Sequence, residues 1–130
     1  MKGNIQVPKG TRDFTSKVMF RRNYIFKKVK SCFERYGYAP IETPAMENIE
    51  TLIGKYGQEG DRLIFKVLNS GDFLSKTIID NTTTSKSLSK DISDKALRYD
   101  LTVPFARFVV NNKNEITFPF KRYQMQNVWR

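Results

Sequence analysis

Residues 116–130, at the carboxyl end, constrain the fold most, because their side chains alternate in character as in a β-strand. Successive side chains of a strand point to opposite faces of the sheet. One face of this run would carry Arg122, Gln124, Gln126, Val128 and Arg130. The other face would carry Tyr123, Met125 and Trp129, which suit a core. Polar groups on an inner strand must be hydrogen-bonded or must line a cleft, since their unpaired burial is costly. The run therefore predicts a strand, bent at Pro119, with one polar face.

A long helix is predicted near the amino end of the chain. Thr15 or Ser16 can cap a helix that runs to about Tyr36, and Gly37 is a suitable residue to end it. Its apolar stripe, with steps of three, four and seven, is Val18, Ile25, Phe26, Val29, Cys32, Phe33 and Tyr36. Lysines and arginines dominate the rest of the helix and indicate either a solvated face or a contact with RNA.

The middle of the chain predicts short elements. Residues 38–44 contain two prolines and suit an edge strand. We expect a short helix over residues 45–56 and an apolar strand over 61–68, while 73–79 suit neither state clearly. Residues 80–94 lack apolar periodicity and aromatic side chains. We therefore expect them to form an exposed, mobile insertion between two strands.

A further strand and helix precede the closing run. Residues 95–99 suit a short strand, and Thr102 can cap a helix to about Val110 with Pro104 in its first turn. Residues 111–114 suit a turn. This succession of helices and strands predicts an α+β fold around an antiparallel sheet. A Rossmann fold is not expected, because the chain has neither the βαβ rhythm nor a G-x-G-x-x-G or Walker loop.

Composition narrows the classes of function. The chain has 130 residues, enough for one domain or part of one, and a net charge of +10. That charge indicates a polyanionic partner such as RNA, nucleotides or an anionic membrane face, or simply a well-solvated surface. Without histidine, the chain has no His-based acid–base catalysis and no His-ligated metal, and the single Cys32 excludes an internal disulfide. We expect no protein-held metal site, no membrane segment, and a soluble cytoplasmic protein.

Two groups of residues could carry chemistry. The planar fork of Arg130 can bind phosphate or carboxylate through two parallel hydrogen bonds, or it could pair with a local carboxylate. Asp100 and Thr102 lie at a junction between a strand and a helix. A carboxylate there can accept from an ammonium group, but Asp and Thr also favour this position as helix caps. Both interpretations stay open on the residues alone.

Four segments, in this order, resemble the class II aminoacyl-tRNA synthetases, and specifically the histidyl-tRNA synthetases. Residues 8–14 (PKGTRDF) are similar to the amino-terminal signature of that family. Residues 26–44, ending in GYAPIETP, resemble motif 1, a helix and a strand that end at a proline. Asp100, Leu101 and Thr102 occupy the family's first histidine-binding element, and residues 123–130 resemble the first strand of motif 2.

The resemblance implies roles for individual residues. Asp100 would bind the α-ammonium of histidine, with Leu101 as the spacer and Thr102 as a hydroxyl partner. Arg130 would be catalytic, gripping both the α-phosphate of ATP and the carboxylate of histidine. Pro44 would pack across the two-fold axis of a homodimer.

The resemblance also implies the fold and the reaction. The chain would be the amino-terminal part of the catalytic domain, from motif 1 to the start of motif 2, in an antiparallel sheet flanked by helices. The whole enzyme would activate histidine with ATP, with Mg²⁺ bound through the phosphates, and transfer it to tRNA(His). We expect the isolated chain to be inactive, because the remaining segments of that site are not in it.

Two alternatives remain open. One is a regulatory paralogue, the subunit of the ATP phosphoribosyltransferase of histidine biosynthesis, which is built on the same fold. The other is a small basic module for RNA binding or dimerisation, since basic and aromatic residues interleave over residues 118–130.

Overall fold

The computed structural model describes residues 5–53, 63–75 and 77–130. It contains two compact units, Met1–Ala39 and Pro40–Arg130, which we describe separately. None of the helices in the described parts is long and apolar enough to cross a membrane.

The first unit is built on one long helix, α1 (Ser16–Arg35). The helix follows Thr15, whose backbone is extended, and it ends before Gly37, which has a φ of +75°. Glycine adopts this left-handed conformation without the steric cost that a side chain imposes. The predicted helix is therefore confirmed, with its end one residue earlier than expected.

No described residue of α1 is buried within the chain. The guanidinium of Arg22 lies 4.3 Å from the ring centroid of Phe14 and 5.4 Å from that of Phe26. Cations over aromatic faces gain electrostatic energy while their charge stays near water. The apolar stripe remains partly open, since Val29 and Phe33 are each 38% exposed.

The second unit is a mixed α+β structure, as the sequence predicts. Its elements, in chain order, are β1 (Ala39–Pro40), β2 (Met46–Asn48), α2 (Ile49–Ile53), β3 (Lys66–Val67), α3 (Ser85–Ile92), β4 (Lys95–Leu97), α4 (Thr102–Asn111) and β5 (Arg122–Tyr123). β1 spans the division between the two units.

A three-stranded antiparallel sheet has the order β2-β4-β3. Ala96 lies at its centre, opposite Glu47 on one side and Lys66 on the other. The short β5 lies in a second, two-stranded sheet with β1, where the Ile41 amide donates to the Tyr123 carbonyl at 3.1 Å.

The core of the second unit lies where α2 and the start of α4 meet β4. Its buried residues are Ile49, Leu52, Ile64, Ala96 and Val103, with Ile53 and Tyr99 packed against them. Leu52 and Pro104 are the largest side chains that are fully buried. Burial of such side chains contributes about 1.5–3 kcal/mol each, so this small cluster fixes the start of α4 relative to the sheet.

Two sequence predictions for the middle of the chain need correction. The helix expected over residues 45–56 is wrong at its start, because Met46–Asn48 form β2 and only Ile49–Ile53 are helical. In the strand, Glu47 forms an ion pair with Arg107, and this contact favours the strand over the helix. The strand expected over 61–68 is regular only at Lys66–Val67. Residues 54–62, which both predictions reach, lie outside the described part of the chain.

Residues 80–94 contain more regular structure than the sequence suggests. Thr84 and Ser87 form a capping box at the start of α3. The Ile92 carbonyl accepts from the amide of Asn69 at 2.8 Å, beside β3. A polar helix with these caps gives little apolar periodicity, which explains the different expectation. Mobility of the segment remains a prediction.

The predicted cap and the predicted closing strand also change. Thr102 is the first residue of α4, and the side chain of Asp100 caps the helix instead. Regular strand structure within residues 116–130 is limited to β5, Arg122–Tyr123. Beyond it, side-chain hydrogen bonds and a backbone bond from the Trp129 amide to the Arg98 carbonyl connect the run to the rest of the unit.

Candidate functional site

The last residues of the chain lie beside the end of β4. The Trp129 amide donates to the Arg98 carbonyl at 3.0 Å. The Nε of Arg130 donates to the Tyr99 carbonyl at 3.2 Å, and the Arg130 side chain is exposed. Arg130 thus contacts the residue directly before Asp100, although Arg130 and Asp100 are thirty positions apart in the sequence. A guanidinium carries five N–H donors, and this bond uses one of them.

The carboxylate of Asp100 already has a structural task. Its Oδ1 accepts from the backbone amides of Thr102 at 3.0 Å and Val103 at 3.3 Å. These amides have no partner within α4, so the carboxylate satisfies them and meets the positive end of the helix dipole. Leu101 is partly buried at the turn, and Thr102 is exposed. The cap interpretation of Asp100 is confirmed, and it leaves the ligand role of this carboxyl group untested.

Arg98 is a residue that the sequence analysis missed. It is 3% exposed, and its Nη1 donates to the Thr43 carbonyl at 2.6 Å and to the Pro44 carbonyl at 2.9 Å. Its Nε donates to the Asn127 carbonyl at 3.0 Å. Burial lowers the pKa of Arg98, while the charges of Glu42 and Glu47 oppose that shift. The signal in the sequence is alternation, because Arg98 shares a strand face with the buried Ala96 two positions earlier.

Two glutamines of the closing run meet Thr43. Gln124 Nε2 donates to Thr43 Oγ1 at 2.7 Å, and Gln126 Nε2 donates to the Thr43 carbonyl at 2.9 Å. The Thr43 amide donates back to Gln126 Oε1 at 3.1 Å. Gln124 and Gln126 therefore share one side of the run, as alternation predicts. Gln124 Oε1 is buried and has no hydrogen-bond partner within the described residues.

A second arginine, Arg107 in α4, forms an ion pair with Glu47 in β2. Arg107 donates through Nε and Nη2 to the two carboxylate oxygens of Glu47, each at 2.7 Å. The Glu47 side chain is 4% exposed and that of Arg107 is 28% exposed. The hydrogen bond to Glu47 raises the pKa of Arg107, although desolvation opposes it. This bidentate ion pair holds β2 against α4, and the Asp100 turn lies at the amino end of α4.

Aromatic side chains of α4 contact the start of the closing run. The guanidinium of Arg122 lies 3.8 Å from the ring centroid of Phe105 in α4. The ring of Phe120 stacks on those of Phe105 and Phe108, with centroids 6.3 and 6.4 Å apart. These contacts fix the start of the run against α4.

The predicted site residues thus fall into two places. Arg130 lies beside the turn formed by Asp100, Leu101 and Thr102. Pro44 lies at the Arg98 contact, where it is exposed and its carbonyl accepts from that guanidinium. Within the described residues, no group of three or more His, Cys, Asp or Glu side chains could hold a metal ion.

The chain is similar over nearly its whole length to proteins named histidine–tRNA ligase. It is 62% identical over 126 residues to the protein from Christiangramia forsetii, and 60% identical over 128 residues to that from Azobacteroides pseudotrichonymphae. These matches cover 95% and 97% of the chain but only 28% of each relative. The chain therefore spans less than a third of the length of these relatives. No protein-family model matches it.

Solved structures have the same fold. Histidyl-tRNA synthetase from Nostoc sp. PCC 7120 matches 98% of the chain with a TM-score of 0.70 and 29% identity, over 25% of its own length. A protein described as an ATP phosphoribosyltransferase regulatory subunit/histidyl-tRNA synthetase, from Bacillus halodurans, matches 98% of the chain and 28% of its own length. Its TM-score is 0.71, and its 24% identity supports the fold alone.

Proposed function

Since the chain belongs to the histidine–tRNA ligases over the segment that it spans, we propose that it supplies part of the site where histidine is activated with ATP. In the whole enzyme, the histidine carboxylate attacks the α-phosphorus of ATP. Histidyl-adenylate and pyrophosphate form, and the histidyl group then passes to tRNA(His).

Four residues carry the roles that this chain contributes. Asp100 binds the α-ammonium of histidine, with Leu101 holding the turn and the Thr102 hydroxyl beside it. Arg130 binds the histidine carboxylate and the α-phosphate of ATP. The observation that carries this proposal is the hydrogen bond from Arg130 Nε to the Tyr99 carbonyl at 3.2 Å, directly before the Asp100 turn.

The chemistry needs a cation between two anions. Both the attacking carboxylate and the phosphate are negative, so an exposed guanidinium draws them together and stabilises the charge shared in the transition state. Loss of such a donor costs about 3 kcal/mol, or roughly a hundredfold in rate. No side-chain base is required, since a carboxylate is already ionised at neutral pH.

The hydrogen bond to Tyr99 gives Arg130 a fixed orientation before the reactants arrive. A donor that is already oriented loses little conformational freedom when the charge develops. The cap made by Asp100 has the same effect on the turn, because two backbone amides hold one of its carboxylate oxygens.

Magnesium would be bound mainly through the phosphates of ATP, where it would neutralise charge. The described residues offer no cluster of ligands for it. The steps that we assign to this chain are binding and charge stabilisation by its own residues.

The proposal extends to partners and location. The whole enzyme is a cytoplasmic homodimer that uses tRNA(His), L-histidine and ATP. The dimer forms through residues 26–44, with Pro44 across the two-fold axis. The partly open apolar stripe of α1 supports this arrangement, since apolar surface of this kind marks an interaction site.

The regulatory paralogue and the RNA-binding module stay as alternatives of lower rank. The Bacillus halodurans match supports the fold alone, so it does not distinguish a ligase from a regulatory subunit. The identity of 62% to a relative named as a ligase favours the enzyme.

A chimeric protein tests the proposal. This chain replaces the matching segment of the Christiangramia forsetii relative, and histidine-dependent exchange between ATP and pyrophosphate is measured. We expect exchange close to that of the intact relative, and a loss of about a hundredfold for Arg130→Ala. Lys113→Ala, which removes one positive charge from the exposed turn after α4, serves as the control and is expected to retain activity.

Two results would contradict the proposal. One is a well-folded chimera with no exchange. The other is an Arg130→Ala chimera as active as the unsubstituted one.

A further inference from the structure

We propose that Arg98 is a positioning residue, which holds residues 127–130 so that Arg130 reaches a ligand bound at the Asp100 turn. This inference rests on the proposed function, because it assigns Arg98 a role in the same site. Arg98 itself contacts no substrate, as it is 3% exposed.

The side chain of Arg98 joins separate parts of the chain. Nη1 donates to both the carbonyl and the hydroxyl oxygen of Thr43, at 2.6 and 3.2 Å, and to the Pro44 carbonyl at 2.9 Å. Nε donates to the Asn127 carbonyl at 3.0 Å. The guanidinium therefore binds backbone oxygens of two segments that are far apart in the sequence, rather than a carboxylate.

The backbone of the same residue continues the contact. The Arg98 carbonyl accepts from the Trp129 amide at 3.0 Å, and the next carbonyl, of Tyr99, accepts from Arg130 at 3.2 Å. The side chain of Arg98 thus holds Asn127, and its main chain holds Trp129. The two residues that are held, Asn127 and Trp129, are two positions apart, and Arg130 follows directly.

An arginine is suited to this task in a way that lysine is not. Its planar fork directs N–H groups along two different directions at once, and it cannot lose its charge. The ammonium of a lysine is a single point on a flexible stem. Arg98→Lys would keep the charge and the contact with Thr43 or Pro44, while it loses the bond to Asn127.

A purely structural role makes a different prediction. If Arg98 only stabilises the fold, its substitution lowers stability and leaves the rate per folded molecule unchanged. If it positions Arg130, its substitution lowers the rate through Arg130. Residues that act through one another give non-additive effects in a double-mutant cycle.

The test compares Arg98→Lys, Arg130→Ala and the double variant in the chimeric protein, with rates corrected for folded fraction. We expect Arg98→Lys to lower kcat for exchange by about tenfold, since a misplacement of 1 Å can cost up to a hundredfold. In the Arg130→Ala background, the same substitution should change kcat by less than about twofold. Equal effects in both backgrounds would overturn the proposal.

Arg107→Lys is the matched control. Arg107 is another hydrogen-bonded arginine of this unit, but it pairs with Glu47 and makes no described contact with residues 127–130. We expect Arg107→Lys to lower the melting temperature while its effect on kcat stays small and independent of Arg130.

A second measurement does not depend on activity. Trp129 is the single tryptophan of the chain, and its ring lies 5.9 Å from the Arg98 guanidinium. In the 130-residue chain, Arg98→Lys should shift the tryptophan emission to longer wavelength, because the released segment exposes the ring to water. Arg107→Lys should leave the tryptophan emission unchanged.

Unchanged emission with intact helix content would overturn the proposal even if the chimera were inactive. A chimera that fails without any substitution would contradict the proposed function instead. The two failures are therefore distinguishable.

Discussion

At the scale of single residues, the proposed site depends on carboxyl and guanidinium groups that are hydrogen-bonded to the backbone. Asp100 caps α4 through one oxygen, and Arg130 donates to a carbonyl beside it. The same residue can serve the fold and a ligand, because a carboxylate has two oxygens and several lone pairs. Charge and hydrogen-bond capacity can therefore be separated by substitution.

Asp100→Asn should separate the two roles. The amide oxygen still accepts from the Thr102 and Val103 amides, so we expect a loss of stability of only a few tenths of a kcal/mol. Asp100→Ala removes the acceptor and should cost about 1 kcal/mol. Both variants should raise the KM for histidine in the chimeric protein. Thermal unfolding would measure the loss of stability, and steady-state exchange would measure the KM. An unchanged KM in Asp100→Asn would remove the ammonium role.

The sequence singles out candidate site residues more readily than it reveals the groups around them. Arg130 and the Asp100 turn stand out because their chemistry is matched by a family pattern. Arg98 does not stand out, because its partners are carbonyl groups that are 29 to 55 positions away. Backbone partners leave no mark in the side-chain sequence, so the buried role of Arg98 needs the structure.

At the scale of elements, ion pairs and caps decide where short strands and helices form. Glu47 lies in β2 where the local sequence suggests a helix, and its pairing with Arg107 ties β2 to α4. Tertiary contacts of this kind override weak local preferences. By contrast α1, with a full apolar stripe and a glycine stop, follows its sequence closely.

The two partners of this ion pair should respond unequally to truncation. Arg107→Ala leaves the Glu47 carboxylate, which is 4% exposed, buried without its partner and should cost about 3 kcal/mol. Glu47→Ala leaves an arginine that is 28% exposed and can regain water, so we expect about 1 kcal/mol. Urea unfolding of the two variants would measure this asymmetry. Equal losses of unfolding free energy would contradict the claim that the buried, unpaired Glu47 carboxylate causes the larger cost.

The stability of the turn before α3 should depend on pH. Hydrogen bonds from the Thr82 side chain and amide lower the pKa of Asp80, and a bond from Thr83 acts in the same direction. Because the folded pKa is below the unfolded value, the stabilisation is present above the unfolded pKa and is lost as pH falls through the folded pKa. A carboxyl titration by NMR should give a midpoint below that of ordinary aspartate. Thr82→Val should raise it, whereas Thr117→Val should leave it unchanged.

At the scale of the whole molecule, the two units differ in how they satisfy their apolar surface. The second unit has a core around Leu52, whereas α1 in the first unit has no buried residue. The sequence predicts the apolar stripe of α1 from its spacing. It does not reveal that the stripe is only partly buried in the described residues, because periodicity identifies a face without identifying what packs on it.

Self-association should therefore depend on the apolar face of α1. Val29→Asp introduces a charge into this face and should shift sedimentation from dimer to monomer. Asn23→Asp adds the same charge to an exposed position of the same helix, on another face, and serves as the control. A parent chain that sediments as a compact monomer at high concentration would contradict association through residues 26–44.

The central claim is that the Asp100 turn and Arg130 bind two ends of one ligand. Calorimetric titration of the chimeric protein tests it most directly, with L-histidine and with L-histidinol, which keeps the ammonium and the imidazole but lacks the carboxylate. Asp100→Asn should weaken the binding of both compounds. Arg130→Ala should weaken L-histidine by about tenfold or more and leave L-histidinol unchanged. Equal sensitivity of both compounds to Arg130→Ala, or of neither to Asp100→Asn, would contradict the account.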